Sequence, residues 1–285
     1  MLSGQPGPVT ARCAVWGSPV AHSLSPTLHR AAYAALGLTG WAYDRRQVDE
    51  AAFGGALAGL DATWRGLSLT MPLKEAALRA ASVVDATAAA TGAANTLVAT
   101  AAGWHAHNTD VHGIVAALRS AGATAPAHAL VVGSGATARS TVAALAALGA
   151  ARVTFLVRGA PRELTVAQAR SAGLEVDVVG LGHWPVADVV VSTVPPEAVP
   201  GLDDLPGPRG TGAVLDVVYG EGPTPLQRRA REAGWALAPG TDMLLHQAAA
   251  QVTLMTGLPA PLEAMAAALA SVVDPEWGTP VRRGS

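Results

Sequence analysis

One cysteine, Cys13, stands in 285 residues, so no disulfide can close within the chain and no multi-cysteine zinc module is encoded. Aromatic residues are few, at 4%, and charged ones make up 14% where about 25% is ordinary. The charges nearly cancel, to a formal net of −2, and give no basic surface to condense on a polyphosphate. Nucleic acid is not an expected partner. Residues Met1–Pro8 are polar and rich in Gly and Pro, without the basic-then-apolar pattern of a secretion signal. The longest uncharged stretches, 86–104 and 243–262, are interrupted by Asn, Gln, Thr, Gly or Pro, so neither reads as a membrane span. Apolar side chains, by contrast, make up half of the residues, enough to bury a sizeable core and to exclude general disorder. At about 150 residues per domain the length fits two domains, and a cytoplasmic globular protein is expected.

The scarcest charged residue is the most informative. The nineteen basic residues are eighteen arginines and one lysine, Lys74. Arginine keeps its proton under all ordinary conditions, whereas a partly buried lysine can be tuned to give one up and take it back. Two readings follow: a task that a guanidinium cannot perform, or one residual lysine on a solvated helix face.

Strand-like and helix-like stretches alternate, which predicts an α/β protein with mostly parallel sheets. Ser25-Pro26 has the chemistry of a helix start, with Ser as N-cap and Pro at the first helical position. Thr70-Met71-Pro72 turns into a helix that carries Lys74. Stretches 97–100 and 104–107 read as a hairpin around Gly103, and a helix follows over 111–120. The Pro-containing connection Ala121–His128 reads as a domain boundary. Beyond it, Gly149 and Gly173 stand where a left-handed residue ends a helix. Thr224-Pro225 caps another helix, and alanine-rich helices over 242–256 and 261–273 close the chain.

After the apolar strand 129–132 comes Gly133-Ser134-Gly135-Ala136-Thr137-Ala138, a G-x-G-x-x-A variant that opens a helix. The first glycine permits the tight turn, the second lets the backbone approach a pyrophosphate, and the helix N-terminus favours an anion. The strand–loop–helix context makes this a dinucleotide-binding signal rather than a bare glycine pattern. Where an NAD site places a carboxylate, at the end of the next strand, this chain has Arg158 with Arg162 close behind. Guanidinium groups there suit a 2′-phosphate, so NADP is favoured over NAD.

In the first half, Ser23 and Ser25 lie beside a helix N-terminus, a sensible receptor for a carboxylate; simple capping by Ser25 is the alternative. Thr70-x-Pro72-x-Lys74 puts a hydroxyl and an amine about one helical turn apart, and Asn95-Thr96 and Asn108-Thr109-Asp110 follow. Together with His22–Pro26 (HSxSP), Gly133–Thr137, Asp216-Val217-Val218-Tyr219, Thr224-Pro225-Leu226, Gly240, Met243-Leu244 and Gln247-Ala248, these motifs run in order along nearly the whole chain. In that order they resemble the shikimate dehydrogenase family, which reduces 3-dehydroshikimate with NADP.

The resemblance implies two α/β domains with the active site between them. One is a discontinuous N-terminal substrate domain, residues 1–112 and 240–285; the other is a Rossmann-type NADP-binding domain, residues 113–239. It implies Lys74 and Asp110 as the catalytic pair. Ser23, Ser25, Thr70, Asn95, Asp110, Tyr219 and Gln247 would bind the small-molecule substrate. Gly133, Ser134, Gly135, Ala136, Thr137, Arg158, Arg162, Val217 and Gly240 would line the NADP. The protein would act as a monomer or homodimer. Departures from the family pattern are Ser68 and Arg30 where asparagine is usual, Ala136 where a third glycine is common, and Val157 before Arg158.

Rival readings carry less. His105, His107, Asp110 and His112 lie within eight residues, but no distant further ligand or H-E-x-x-H helix accompanies them, and no metal is expected. No G-x-S-x-G elbow supports serine hydrolysis. A quinate or amino-shikimate dehydrogenase of the same family fits the same motifs. A non-catalytic binding protein is opposed by the presence of both Lys74 and Asp110.

Overall fold

The computed structural model describes residues 8–210 and 212–281; most of the Met1–Pro8 segment read above for a signal lies outside them. The described chain divides into two compact units. The first comprises the chain up to Thr109 together with Ala248–Ser271; the second comprises Asp110–Gln247 and the chain from Val272 on. This division differs from the expected one at both junctions. Residues 240–247 and the C-terminal segment belong with the second unit because local contacts tie them there. Val273 bridges to Pro280, the Thr241 hydroxyl donates to Gly278 O, and Arg231 pairs with Glu276 at 2.7 Å. Ala121–His128, read as a boundary, instead joins two elements inside the second unit. Its Ala127 carbonyl accepts both Ala151 and Arg152 N–H groups, which stitches it to a strand start.

In the first unit the strands β1 (Ala11–Gly17), β2 (Trp41–Gln47), β3 (Trp64–Leu69), β4 (Val83–Val84), β5 (Thr96–Thr100) and β6 (Gly103–His107) form one sheet in the order β2-β1-β3-β5-β6-β4. It is mostly parallel, as expected, through β1–β2, β1–β3 and β4–β6, while β5 runs antiparallel to β3 and pairs with β6 through the expected hairpin. Gly103 takes φ +102° there, a conformation that suits glycine. The short β4, and the helix α4 (Ala86–Thr91) whose N-cap Asp85 accepts the Ala88 N–H, have no counterpart in the sequence reading. β1 lies between β2 and β3 and is buried on both faces: Ala14 and Trp16 join one apolar cluster, Cys13 and Val15 the other. Burial pushes the Cys13 thiol up to about 11, an unreactive group. Helices α1 (Ser25–Ala35), α2 (Glu50–Ala58), α3 (Lys74–Ala80) and α10 (Leu262–Ala270), with the end of α9 (Gly240–Thr256), complete this unit.

The second unit is a six-stranded, wholly parallel sheet of β7 (His128–Val132), β8 (Arg152–Val157), β9 (Glu175–Gly180), β10 (Val189–Ser192), β11 (Ala213–Asp216) and β12 (Ala236–Pro239). The order β12-β11-β10-β7-β8-β9 is that of a Rossmann-type sheet, reversing direction between β7 and β10. Both faces are covered, and so the strands read as unbroken apolar runs: in β7, Ala129 and Val131 face one core, Leu130 and Val132 the other. The helices α5 (Asp110–Ser120), α6 (Ala136–Ala147), α7 (Glu163–Ser171) and α8 (Pro225–Glu232) supply the layers. Gly149 and Gly173 take φ +83° and +81° just beyond α6 and α7, as their positions predict. Thr224 and Gln227 form a reciprocal capping box at the head of α8. Among the described residues no helix is long and apolar enough to cross a membrane.

Candidate active site

In the first unit the candidate substrate residues leave from one edge of the sheet. β1 and β3 are adjacent and parallel, with Trp16 opposite Leu69, so the segments beyond their C-terminal ends begin side by side. Thr70 N–H donates to Trp16 O at 3.0 Å, and Ser18 N–H to Met71 O at 2.9 Å. Gly17 allows that join: a Cβ there would lie 2.2 Å from Thr70 Cγ2 and 3.0 Å from Met71 O. Lys74 opens α3, half-buried, and its carbonyl accepts the Ala94 N–H at 2.9 Å, while Leu69 N–H donates to Asn95 O at 2.7 Å. Asn95 is thereby brought beside the Thr70–Lys74 turn.

Ser23 and Ser25 are both buried and in contact, the Ser23 hydroxyl donating to Ser25 Oγ at 3.2 Å. Ser25 is not the N-cap expected for it. It is the first helical residue of α1, after Leu24 as N-cap, and Ser23 Oγ accepts its N–H at 3.3 Å. A turn that closes from Ser23 N–H to Val20 O moves the helix start, so Ser23 supplies the terminal acceptor.

Asn95 is fully engaged with the segment before Asp110. Its Oδ1 accepts the Thr109 N–H at 2.8 Å and the Thr96 hydroxyl at 2.9 Å, and its Nδ2 donates to Thr109 Oγ1 at 2.9 Å. Behind it lies a group that the motifs did not reveal. Gln251 reaches Asn95 O, Thr96, Ser68 and His29, and Ser68 in turn accepts from Tyr43. The one signal available was the second glutamine of Gln247-Ala-Ala-Ala-Gln251, one helical turn after a residue already singled out.

In the second unit the candidate cofactor residues gather at the C-terminal ends of the parallel strands. Gly133, after β7, has φ +98°, and a Cβ on it would meet Val194 Cγ1 at 2.6 Å and Thr193 Oγ1 at 2.8 Å. Gly135 differs: a Cβ there would meet no protein atom within 4 Å, so packing does not demand glycine. As N-cap of α6 it leaves the helix N-terminus bare of any side-chain cap, which fits close approach of an anionic ligand backbone. Ser134 anchors the loop by accepting Arg162 N–H at 3.1 Å, and its carbonyl accepts the Thr165 hydroxyl at 2.7 Å. Arg158 and Arg162 are exposed at the end of β8 and the N-cap of α7. Two exposed guanidinium groups beside the Gly133–Thr137 loop fit a dinucleotide carrying an extra phosphate.

Val217 and the half-buried Tyr219 follow β11. Gly240, at the head of α9, packs on that turn so closely that a Cβ would lie 2.7 Å from Asp216 O and 2.9 Å from Val217 O. Asp216 is buried; its carboxylate accepts the Thr224 hydroxyl at 2.8 Å and the Val218 N–H at 3.2 Å. Burial pushes its pKa up to about 6 against the pull of those two donors. Asp110 heads α5, only 4% exposed, and one turn later Gly113 lets α9 approach: a Cβ there would lie 2.6 Å from Met243 O and 3.0 Å from Gln247 Cβ. Asp110 and Gln247 are thus set by the same α5–α9 crossing.

The family model described as Shikimate dehydrogenase substrate binding domain matches residues 15–97, and the model described as Shikimate 5'-dehydrogenase C-terminal domain matches 240–270. The chain is 37% identical over 287 residues, 95% of its length and 96% of the relative's, to "Shikimate dehydrogenase (NADP(+))" of Moorella thermoacetica. This chain belongs to the shikimate dehydrogenase family. Its fold matches the crystal structure of Mycobacterium tuberculosis shikimate dehydrogenase with a TM-score of 0.83 at 42% identity, over 92% of this chain and 99% of that one. It also matches the Thermus thermophilus enzyme in complex with NADP(H) and shikimate, with a TM-score of 0.75 at 33% identity over 90% and 98%.

The cluster of His105, His107, Asp110 and His112 divides between the two units. His107 Nδ1 lies 2.7 Å from Asp85 Oδ2, at the cap of α4, with the His105 ring centroid 4.1 Å away. His112 belongs to the second unit, where its ring meets that of His246. Among the described residues no group of three or more His, Cys, Asp or Glu side chains could hold a metal ion.

Proposed function

We propose that this chain catalyses the reversible NADP-dependent reduction of 3-dehydroshikimate to shikimate, a cytoplasmic step towards chorismate and the aromatic amino acids. The observation that carries this reading is the position of the chain's one lysine. Lys74 heads α3 at the sheet edge that also holds Ser23, Ser25, Thr70 and Asn95, in a chain similar over 95% of its length to an NADP-dependent shikimate dehydrogenase.

NADP, when bound, supplies the hydride; Gly133, Ser134, Gly135, Ala136, Thr137, Arg158, Arg162, Val217 and Gly240 are the residues that would hold it. The protein's own part is to hold the substrate and move a proton. Ser23 and Ser25, neutral donors at the start of α1, bind the carboxylate beside the positive end of the helix dipole. Thr70, Asn95, Tyr219 and Gln247 bind the ring hydroxyls. The Lys74 ammonium donates its proton to the carbonyl oxygen as that oxygen turns into an alkoxide, and in the oxidation the neutral amine takes it back. Asp110 is the second member of the proposed catalytic pair. Such acid–base help is worth about 10²–10⁴-fold, with orientation supplying much of the rest.

A spectrophotometric screen of shikimate and quinate against NADP and NAD tests the reading. Reduction of NADP with shikimate, and much slower turnover with quinate or NAD, is the expected result. Turnover of quinate in preference to shikimate would move the assignment to the sibling activity, and no turnover of either would leave a binding protein.

A further inference from the structure

The polar side chains behind Asn95 admit one consistent arrangement of donors and acceptors, and Gln251 decides it. The Asn95 carbonyl can only accept, so the Gln251 group facing it at 3.2 Å is the amide Nε2, which also donates to Thr96 Oγ1 at 2.9 Å. Gln251 Oε1 therefore faces the other way and accepts from Ser68 Oγ at 2.7 Å and from His29 Nε2 at 3.3 Å. Ser68 spends its one proton on that bond, so Tyr43 OH must be the donor in the 2.6 Å contact to Ser68 Oγ. His29 must carry its proton on Nε2, which leaves Nδ1 as a bare lone pair. Nδ1 is indeed the ring atom without a partner, and an unpaired lone pair is easier to bury than an unpaired N–H. The ring stacks on Tyr43 at 3.9 Å, and burial lowers its pKa to about 3, so it stays neutral.

On the other side, the Thr96 hydroxyl has accepted from Gln251 and passes its own proton to Asn95 Oδ1 at 2.9 Å. The Thr109 N–H donates to the same oxygen at 2.8 Å, and Asn95 Nδ2 donates to Thr109 Oγ1 at 2.9 Å. The Asn95 amide is thus held by Thr96 and Thr109, with its oxygen and nitrogen assigned. We infer that Gln251 is a positioning residue for the reaction: through Thr96 and the Asn95 carbonyl it fixes the orientation of the Asn95 amide, and with it the chain at Thr109 that leads into Asp110. This inference rests on the proposed roles of Asn95 and Asp110, while the hydrogen-bond directions do not.

Two variant sets test it. Thr96→Val keeps the side-chain shape and removes the hydroxyl, and Thr96→Ser keeps the hydroxyl. Gln251→Met replaces the amide by an apolar chain of like length. Thr96→Val and Gln251→Met should raise KM for shikimate about 10- to 100-fold, the scale of one buried polar group left unpaired, with KM for NADP unchanged. Thr96→Ser should stay near wild type. Equal behaviour of the Val and Ser variants, or KM values for both substrates moving together, overturns the inference in favour of a role in packing alone. Amide exchange at Thr109 is the second readout and needs no turnover. It should quicken about tenfold or more in Gln251→Met, relative to amides of β7, and unchanged protection overturns the inference. A wild-type protein that oxidises no shikimate would remove the proposed function, and the Thr109 exchange would still decide the positioning.

Discussion

Each unit builds its own set of candidate residues from different material. In the second, it is made of main chain: a turn at Gly133, a helix start bare of side chains at Gly135, and Gly240 seated on the Asp216–Val217 carbonyls. In the first, it is made of buried side chains, with Asn95, Thr96, Ser68, Tyr43, His29 and Gln251 joined by hydrogen bonds that span up to 222 residues of sequence. Phosphate is served by N–H groups that any sequence possesses, so its site depends on the absence of side chains. A ring with several hydroxyls needs donors and acceptors at set angles, and those must be locked by further polar groups.

The comparison can be broken most sharply at Lys74, the proposed proton-transfer group in the side-chain half. Lys74→Ala should cut kcat about 10²–10⁴-fold with a much smaller change in KM; equal turnover removes Lys74 from the chemistry. Asp216 probes the exception, a buried side chain in the main-chain half. The fold raises its pKa from 3.8 to about 6, so its share of stability is complete below about pH 3.8 and is lost as the pH rises through 6. Asp216→Asn should therefore gain roughly 2–3 kcal/mol relative to wild type between pH 4 and pH 7, read from denaturant melts; a constant gap would contradict the buried-carboxylate account.

Two glycines sharpen the contrast further. Gly17→Ala drives a methyl into Thr70 and should cost about 1–3 kcal/mol of stability while raising KM for shikimate. Arg158→Ala should weaken NADP about tenfold or more and leave NAD nearly untouched, and equal losses would refute its contact with a 2′-phosphate. Gly135→Ala should have the mildest effect: an unchanged melting midpoint and a KM for NADP raised about tenfold. A loss of stability there would mean that the glycine serves packing.

Much of this was readable along the chain. Gly133, Gly135, Thr70-x-Pro72-x-Lys74 and the Thr224 cap are local patterns whose meaning depends on a few neighbours. The helix ends at Gly149 and Gly173 were legible for the same reason. The differences have local and distant causes. Ser25 lost its place as cap to the neighbouring turn at Val20–Ser23, and Ala121–His128 was stitched to β8 across some two dozen residues. The strand β4 had only two residues, too few for a period to show. Gln251, Ser68, Tyr43 and His29 each look like ordinary core or helix residues until they are brought together.

Composition and local order of motifs were enough to determine an α/β chain of two domains, a glycine-rich loop that opens a helix and a single lysine at a helix start. They suffice because the side-chain period of a strand, the turn of a glycine and the chemistry of a helix end act over a few residues. Where the C-terminal segment docks, which nitrogen of His29 holds its proton and which way Asn95 turns its amide are fixed by partners tens to hundreds of residues away. A hydrogen bond has a direction that needs both its ends, and the chain supplies the second end once it has folded.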